Sequence, residues 1–211
     1  MSSILKVDNI QTGAGATHSI SSLGVTSPGT VLQEIHGICD GRTVSGVTFQ
    51  NVTAVQALTT SHVEMTGSSV SYTPPAGTTT VVYTFSFHFD AIDNGGISHY
   101  QFHIDGTAVD NGLGRRTHAG AYQSNSHTTN RVVYEFPILI DSTLASDEIS
   151  NLKLKSWTSA RTLSMTAREY SSSYDATIHQ NVWFGGTSAS SSDGPPPTNV
   201  SVPTLSIKAI A

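Results

Sequence analysis

The chain is expected to fold as an all-β antiparallel two-sheet sandwich behind an extended N-terminal arm, and three observations lead there. The first is alternation: over residues 79–90, Val81, Tyr83, Phe85, Phe87 and Phe89 alternate with Val82, Thr84, Ser86, His88 and Asp90. Period two with one bulky face is the pattern of a strand, whereas a helix would scatter those aromatics around its circumference. The second is composition. Only 12% of residues are charged and 37% are hydrophobic, and Ser, Thr, Gly and Asn replace the missing charge. Thr and Ser suit solvated strand faces, and Gly and Asn suit the turns between strands. The third is punctuation by turn signals, with no convincing helical period anywhere.

Taken in order, residues 1–30 read as an attachment arm and connector. Leu5, Val7 and Ile10 give a short apolar pattern, and a Gly/Ser/Thr-rich stretch follows. Such an arm has no core of its own and must dock on a partner or fray. Residues 31–211 form the β-domain. A first strand is expected over 31–38, the state of 45–58 is open, and short strands are expected at 62–65 and 69–72, stopped by Pro74-Pro75-Ala76-Gly77. After the long strand at 79–90, Asp93-Asn94-Gly95-Gly96 reads as a turn, with Asp90 and Asp93 flanking it in local hydrogen-bonding roles.

Residues 97–105 then place Tyr100, Phe102 and Ile104 opposite His99, Gln101 and His103. Asp105-Gly106 and Asp110-Asn111-Gly112 are further turns, so a hairpin is expected here. Residues 111–130 read as a long polar loop, and 131–140 as a strand with Val132, Tyr134, Phe136 and Ile138 in register. Pro137 then has to lie at an edge or a bulge. Leu152 and Leu154, then Leu163, Met165 and Ala167, then Ile178, Val182 and Phe184 mark three more runs. A low-complexity loop at 185–199 leads to a closing strand over 203–211. Eight to ten strands in one domain suggest a sandwich, of which the jelly roll is the common two-sheet version.

Several function classes fall away on chemistry. Net charge is −5, and no basic cluster exists beyond Arg115-Arg116, so no nucleic-acid partner is expected. No run approaches the ~18 apolar residues of a membrane span. The start lacks a basic then apolar leader pattern, so a soluble, reduced, intracellular product is expected. The single cysteine, Cys39, reads as a small buried hydrophobe in a strand.

Nine histidines invite a metal. His99 and His103 lie on one strand face about 13 Å apart at ~3.3 Å per residue, too far for one ion. No metal or other cofactor is expected. Asp147-Glu148 reads as solvated, and GxSxG, GxGxxG and phosphate-loop patterns are missing, so no catalytic residue is expected. Tyr122, Trp157, Tyr170, Tyr174 and Trp183 are candidates for a sugar-stacking surface or for core and interface positions. Arg115, Arg116, His118 and Tyr122 mark the loop at 111–130 as the candidate recognition surface.

Both ends of the chain resemble something known. Ser3-Ile4-Leu5-Lys6-Val7-Asp8-Asn9-Ile10-Gln11-Thr12 resembles the start of tail-fibre or virion structural proteins of phages of marine bacteria. The ending from Val202 to Ala211 resembles their last strand, and the Tyr-Thr-Pro-Pro-Ala-Gly-Thr-Thr segment their middle. That layout is similar to trimeric jelly rolls of the tumour-necrosis-factor and complement-head type. The resemblance implies a homotrimeric, non-enzymatic component of a virion assembled in the host cytoplasm: a tail fibre, collar fibre or capsid decoration. It also implies that Leu5, Val7 and Ile10 anchor on another virion protein while the β-domain faces outward toward a host-surface glycan or protein. The rival reading is a stand-alone lectin-like carbohydrate-binding module.

Overall fold

The computed structural model of the chain describes residues 27–92, 96–120, 127–181 and 200–211, with the backbone alone at 9–11, 17–19, 92 and 127. In chain order the strands are β1 (Asn9–Gln11), β2 (Thr17–Ser19), β3 (Val31–Ile38), β4 (Thr43–Val44), β5 (Val47–Thr48), β6 (Gln56–Ala57), β7 (Val63–Glu64) and β8 (Val70–Tyr72). There follow β9 (Thr80–Ile92), β10 (Ile97–Ile104), β11 (Thr107–Ala108), β12 (Arg115–Ala119) and β13 (His127–Ile140). The last are β14 (Lys153–Leu154), β15 (Arg161–Glu169), β16 (Ala176–Ile178) and β17 (Thr204–Ile210). A single 3-10 turn, Ile149–Asn151, is the one helical element among the described residues.

Two sheets hold most of these strands. In the smaller, β10 and β15 lie at the centre, with β11 and β12 along the outer edge of β10 and β7 and β8 along that of β15. In the larger, β9 is the axis: β13 runs along one side, and β17 and β16 share the other, backed by β3 and β6. Every pairing is antiparallel except the short parallel contact of β14 with β13. Eight of the strands pair in a nested order: β3 with β17, β8 with β15, β9 with β13, and β10 with β12.

Aromatic side chains close the gap between the sheets. Tyr83, Phe85, Phe87 and Phe89 of β9 are all buried, as their alternation requires. The Phe102 ring of β10 stacks on Phe136 of β13 with centroids 4.4 Å apart and planes at 8°, and Tyr83 meets Phe102 at 5.1 Å. Tyr100 reaches Phe87 and Tyr134 at 5.5 and 5.2 Å. Buried phenol and indole groups keep a partner, since a lone polar group in a core is costly. Tyr83 donates to the Ser68 carbonyl at 2.7 Å, and Trp157 to the Tyr72 carbonyl at 3.0 Å.

The turns obey local chemistry. Asp105 and Gly106, at φ 51° and 76°, join β10 to β11 as a two-residue hairpin loop, the geometry an Asp-Gly pair favours. Asp105 then clamps the neighbouring strand: its carboxylate accepts the Thr162 backbone N–H at 2.8 Å and a guanidinium N–H of Arg161 at 2.9 Å. Arg161 also reaches Asp147 at 2.7 Å, so this acid is an ion-pair partner and not simply solvated. Pro137 stands opposite Val82 of β9, while on the other side β14 covers only Leu139 and Ile140. That is the expected edge position for a residue without an N–H.

Four further expectations need correction. Residues 111–130 are not all loop, because β12 pairs with β10 and β13 begins at His127. Its Arg-Arg-Thr-His sequence has no apolar alternation to reveal it. Asp90 lies within β9, buried, accepting the Thr129 hydroxyl at 2.7 Å, and does not flank a turn. Cys39 is buried as expected, but it follows β3 and donates to the Gly67 carbonyl at 3.3 Å; burial pushes its thiol up to about 12. Strict alternation after Ile178 would turn His179 outward, but it is fully buried beside Ile178 because its φ of 64° breaks the alternation. Val182, Trp183, Phe184 and the turn at 93–95 lie outside the described residues.

Two expected outcomes follow from this packing. Phe136→Ala should cost about 3–5 kcal/mol in denaturant unfolding, and Arg161→Leu roughly 1.5–3 kcal/mol. The second is linked to pH. His179 donates from Nε2 to the Thr66 carbonyl at 2.8 Å, its Nδ1 has no partner, and burial holds its pKa down to about 4. The unfolded chain therefore binds the extra proton first, so stability is complete above the ordinary histidine range and declines as pH falls toward 4. The loss should be roughly 3 kcal/mol, and a pH series on His179→Asn should lack it.

Candidate functional site

The outward side of the smaller sheet is built by register. The residues of β10 that alternate with Tyr100 and Phe102 face solvent: His99, Gln101 and His103. Cross-strand pairing sets Thr117, His99 and Arg168 in one row, and Arg115, Gln101, Thr166 and Glu64 in the next. With strands ~4.8 Å apart, three strands bring these side chains within one small-molecule span.

A cleft of about 410 Å³ opens there, lined by His62, His99, Gln101, Arg115, Thr117 and Arg168, with Tyr100 and Arg116 completing it. That volume lies within the usual range for small-molecule sites, roughly 300–1,000 Å³. The charges differ in what they offer. Arg115 is paired with Asp110, which also accepts the Gln101 amide at 3.2 Å. Arg116 turns inward: its guanidinium carbon sits 4.8 Å from the centre of the Phe136 ring, and its N–H groups go to the carbonyls of Gly112, Leu113 and Arg115. Arg168 gives one N–H to the Glu169 carbonyl at 3.2 Å and makes no ion pair among the described residues.

The histidines form a relay of hydrogen bonds. His103 Nδ1 lies 3.3 Å from the Gly106 carbonyl, which can only accept, so Nδ1 carries the proton. Its Nε2 then accepts the Thr166 hydroxyl at 3.1 Å. The Thr166 oxygen in turn accepts from His62 Nδ1 at 3.1 Å. His99 Nδ1 meets the Thr117 hydroxyl at 3.3 Å. Partial burial and the Arg168 guanidinium hold both His62 and His99 below the ordinary histidine range. At the rim Tyr170 is 55% exposed, its ring 6.0 Å from His99 and 5.7 Å from Tyr174.

The residues expected from sequence are divided by this geometry. Of the candidate recognition set, Arg115 faces outward, while Arg116 and His118 point inward from β12, the His118 ring 4.5 Å from Phe89. Tyr122, Leu5 and Val7 lie outside the described residues, and Ile10 pairs with His18 across β1 and β2. Of the stacking candidates, Trp157 is core, Tyr170 is an exposed ring beside His99, and Tyr174 packs against Tyr170. His62 and Arg168 were not foreseen. Arg168 extends the outward series Thr162, Ser164, Thr166, but only the strand register brings it beside His99. No group of three metal-ligating side chains converges among the described residues.

The larger sheet exposes a different outer face. Ile38, Thr204, Ser86 and Val133 form one cross-strand row, and Val31, Ile210, Thr80 and Leu139 another. Val133 and Val31 are 53% and 49% exposed, and Ile38, Leu139 and Val202 are exposed as well. Between the two apolar rows run His36, Ser206, Thr84 and Glu135, then the Glu34–Lys208 pair at 3.4 Å.

Replacing the cation that faces the two histidines tests the cleft's electrostatics. In Arg168→Leu, His62 and His99 should both titrate at higher pH than in the parent chain, read from their ring proton resonances. No family model matches the chain, and no curated protein matches it either, so the functional reading rests on this geometry and on the resemblance of the two ends.

Proposed function

We propose that the chain is a non-enzymatic structural protein of a virus particle, working as a homotrimer of jelly-roll domains. In this reading residues 1–30 attach it to another virion protein, and the β-domain faces outward for host attachment as a tail fibre, collar fibre or capsid decoration. The observation that carries the self-association is the outer face of the larger sheet. Five of the seven large hydrophobic residues exposed among the described residues, Val31, Ile38, Val133, Leu139 and Val202, lie on it or beside it. Exposed apolar side chains gathered on one face, here around a polar middle, are what an interface can bury, whereas ones spread over every face would need no explanation. The charge-poor composition points the same way, since interface cores are depleted of charge.

The jelly-roll assignment is supported by the nested order of pairing. Taking the eight strands β3, β8, β9, β10, β12, β13, β15 and β17, the first pairs with the last, the second with the seventh, the third with the sixth and the fourth with the fifth. One long hairpin wrapped into two sheets has that order. A trimer is the state that the resemblance implies, and it has a physical benefit. Three weak outward contacts on one particle act as one strong contact through effective concentration.

A second reading, a lectin-like module, is favoured by the cleft and its exposed Tyr170. It is compatible with the first, because a virion attachment domain needs such a surface.

Light scattering on the purified chain tests the association and should give three times the mass of one chain. Val133→Asp with Leu139→Asp should shift it to monomer with little change in circular dichroism. A parent chain that stays monomeric at high concentration would overturn the reading. Deleting residues 1–12 should leave the oligomer intact and abolish incorporation into particles.

A further inference from the structure

We propose that the cleft on the smaller sheet binds a carboxylate-bearing sugar residue of the uronic or sialic-acid type, with Arg168 holding the carboxylate and Tyr170 carrying an apolar face of the ring. This deepens the attachment role above by naming the ligand class.

Charge is the first argument. Acidic residues outnumber Lys plus Arg 15 to 10 in the chain, yet the cleft is lined by three arginines and two histidines, with Asp110, paired to Arg115, and Glu64 in the next row as the carboxylates beside it. Such a reversal of sign in one concavity selects for anions. Two of the arginines are already committed, Arg115 to Asp110 and Arg116 to backbone carbonyls, leaving the fork of Arg168 available. A planar guanidinium matches a carboxylate with two parallel hydrogen bonds.

The size of the charge distinguishes carboxylate from phosphate. Arg115 is neutralised by Asp110, and Glu64 in the next row offsets one of the two charges on Arg116 and Arg168, so with His62 and His99 held below the ordinary histidine range the cleft offers about one net positive charge at pH 7. That balances a carboxylate and falls short of a phosphate monoester at about −1.5 to −2. The remaining lining fits a saccharide. Gln101 and Thr117 are polar groups suited to hydroxyls, and Tyr170 is an exposed ring set 6.0 Å from His99 at the rim. An apolar ligand would find little hydrophobic wall here.

The groups facing the cleft also set its pH response. They are His99 and His103 on β10, Arg115 and Arg116 on β12, Arg168 on β15, and His62 and Glu64 at β7, with Asp110 bound to Arg115. Protonating His62 or His99 adds positive charge beside Arg168, so affinity for the anion rises as pH falls.

The test is calorimetric or NMR titration of the full chain with a glucuronate-terminated oligosaccharide, its glucose-terminated counterpart and glucose 6-phosphate. The acidic saccharide should bind, more tightly at pH 5.5 than at 7.5, and the neutral one at least about tenfold more weakly. Arg168→Leu, at unchanged melting temperature, should lose at least about tenfold. Arg168→Lys, which keeps the charge and loses the fork, should fall between. Tyr170→Ala should weaken the saccharide but not free acetate. Equal binding of the neutral sugar, unchanged affinity in either Arg168 variant, or preference for the phosphate would overturn the proposal. Light scattering in the same buffer reports the oligomer separately, so loss of the trimer reading and loss of the cleft reading give different results.

Discussion

The stacking of Phe102 on Phe136, with Tyr83 against the same ring, is the contact on which the two sheets depend. Those three side chains come from β10, β13 and β9, so one aromatic cluster ties the axis of the smaller sheet to the two central strands of the larger. Once that seam is closed, the alternation of each strand has no freedom left. Whatever does not face the seam faces solvent, and this is how His99 and Gln101 come to lie beside Arg168 while Val133 and Leu139 come to lie on the opposite surface. The aromatic core thereby determines which residues the protein displays as well as how firmly it is folded.

The two outer faces are chemically unlike, although both are built from strands that alternate a buried side with an outward one. Apolar rows at both ends of the larger sheet frame a polar middle, a design suited to a second protein surface. The smaller sheet presents hydroxyl, amide, imidazole and guanidinium groups around a cleft, a design suited to a hydrophilic small molecule. A sandwich with one sticky side and one wet side can assemble through the first and still leave the second open. That division connects the proposed oligomer with the proposed ligand without asking either surface to serve both.

Much of the fold was legible in the sequence because bulky aromatics alternate over β9, β10 and β13. The sandwich followed from that alternation, an edge or a bulge for Pro137 from its missing N–H, and the turn at Asp105-Gly106 from its own residues. What escaped notice was carried by residues without an apolar period. The strand β12 alternates arginine, threonine and histidine, so inward Arg116 and His118 look as polar as outward Arg115 and Thr117. The cleft was illegible for a different reason: His62, His99 and Arg168 are far apart in the chain, and only the register of three strands puts them together. Single positions also broke the pattern, as the positive φ at His179 shows, since one left-handed residue sends two consecutive side chains into the core.

The nested pairing has a consequence for the order in which the molecule is completed. The strand β17 lies between β3 and β9, hydrogen-bonded to both, and contributes Thr204 and Ile210 to the two rows that carry the apolar outer face. Neither row is continuous until the last strand of the chain has inserted between partners formed from its first half. Such long-range closure is slow compared with forming local hairpins. The face proposed for association is therefore incomplete until β17 is in place, and a chain lacking that pairing does not yet offer it. In the proposed oligomer, subunits would become competent to join one another only once β17 is in place, which would make assembly a check on the integrity of every copy.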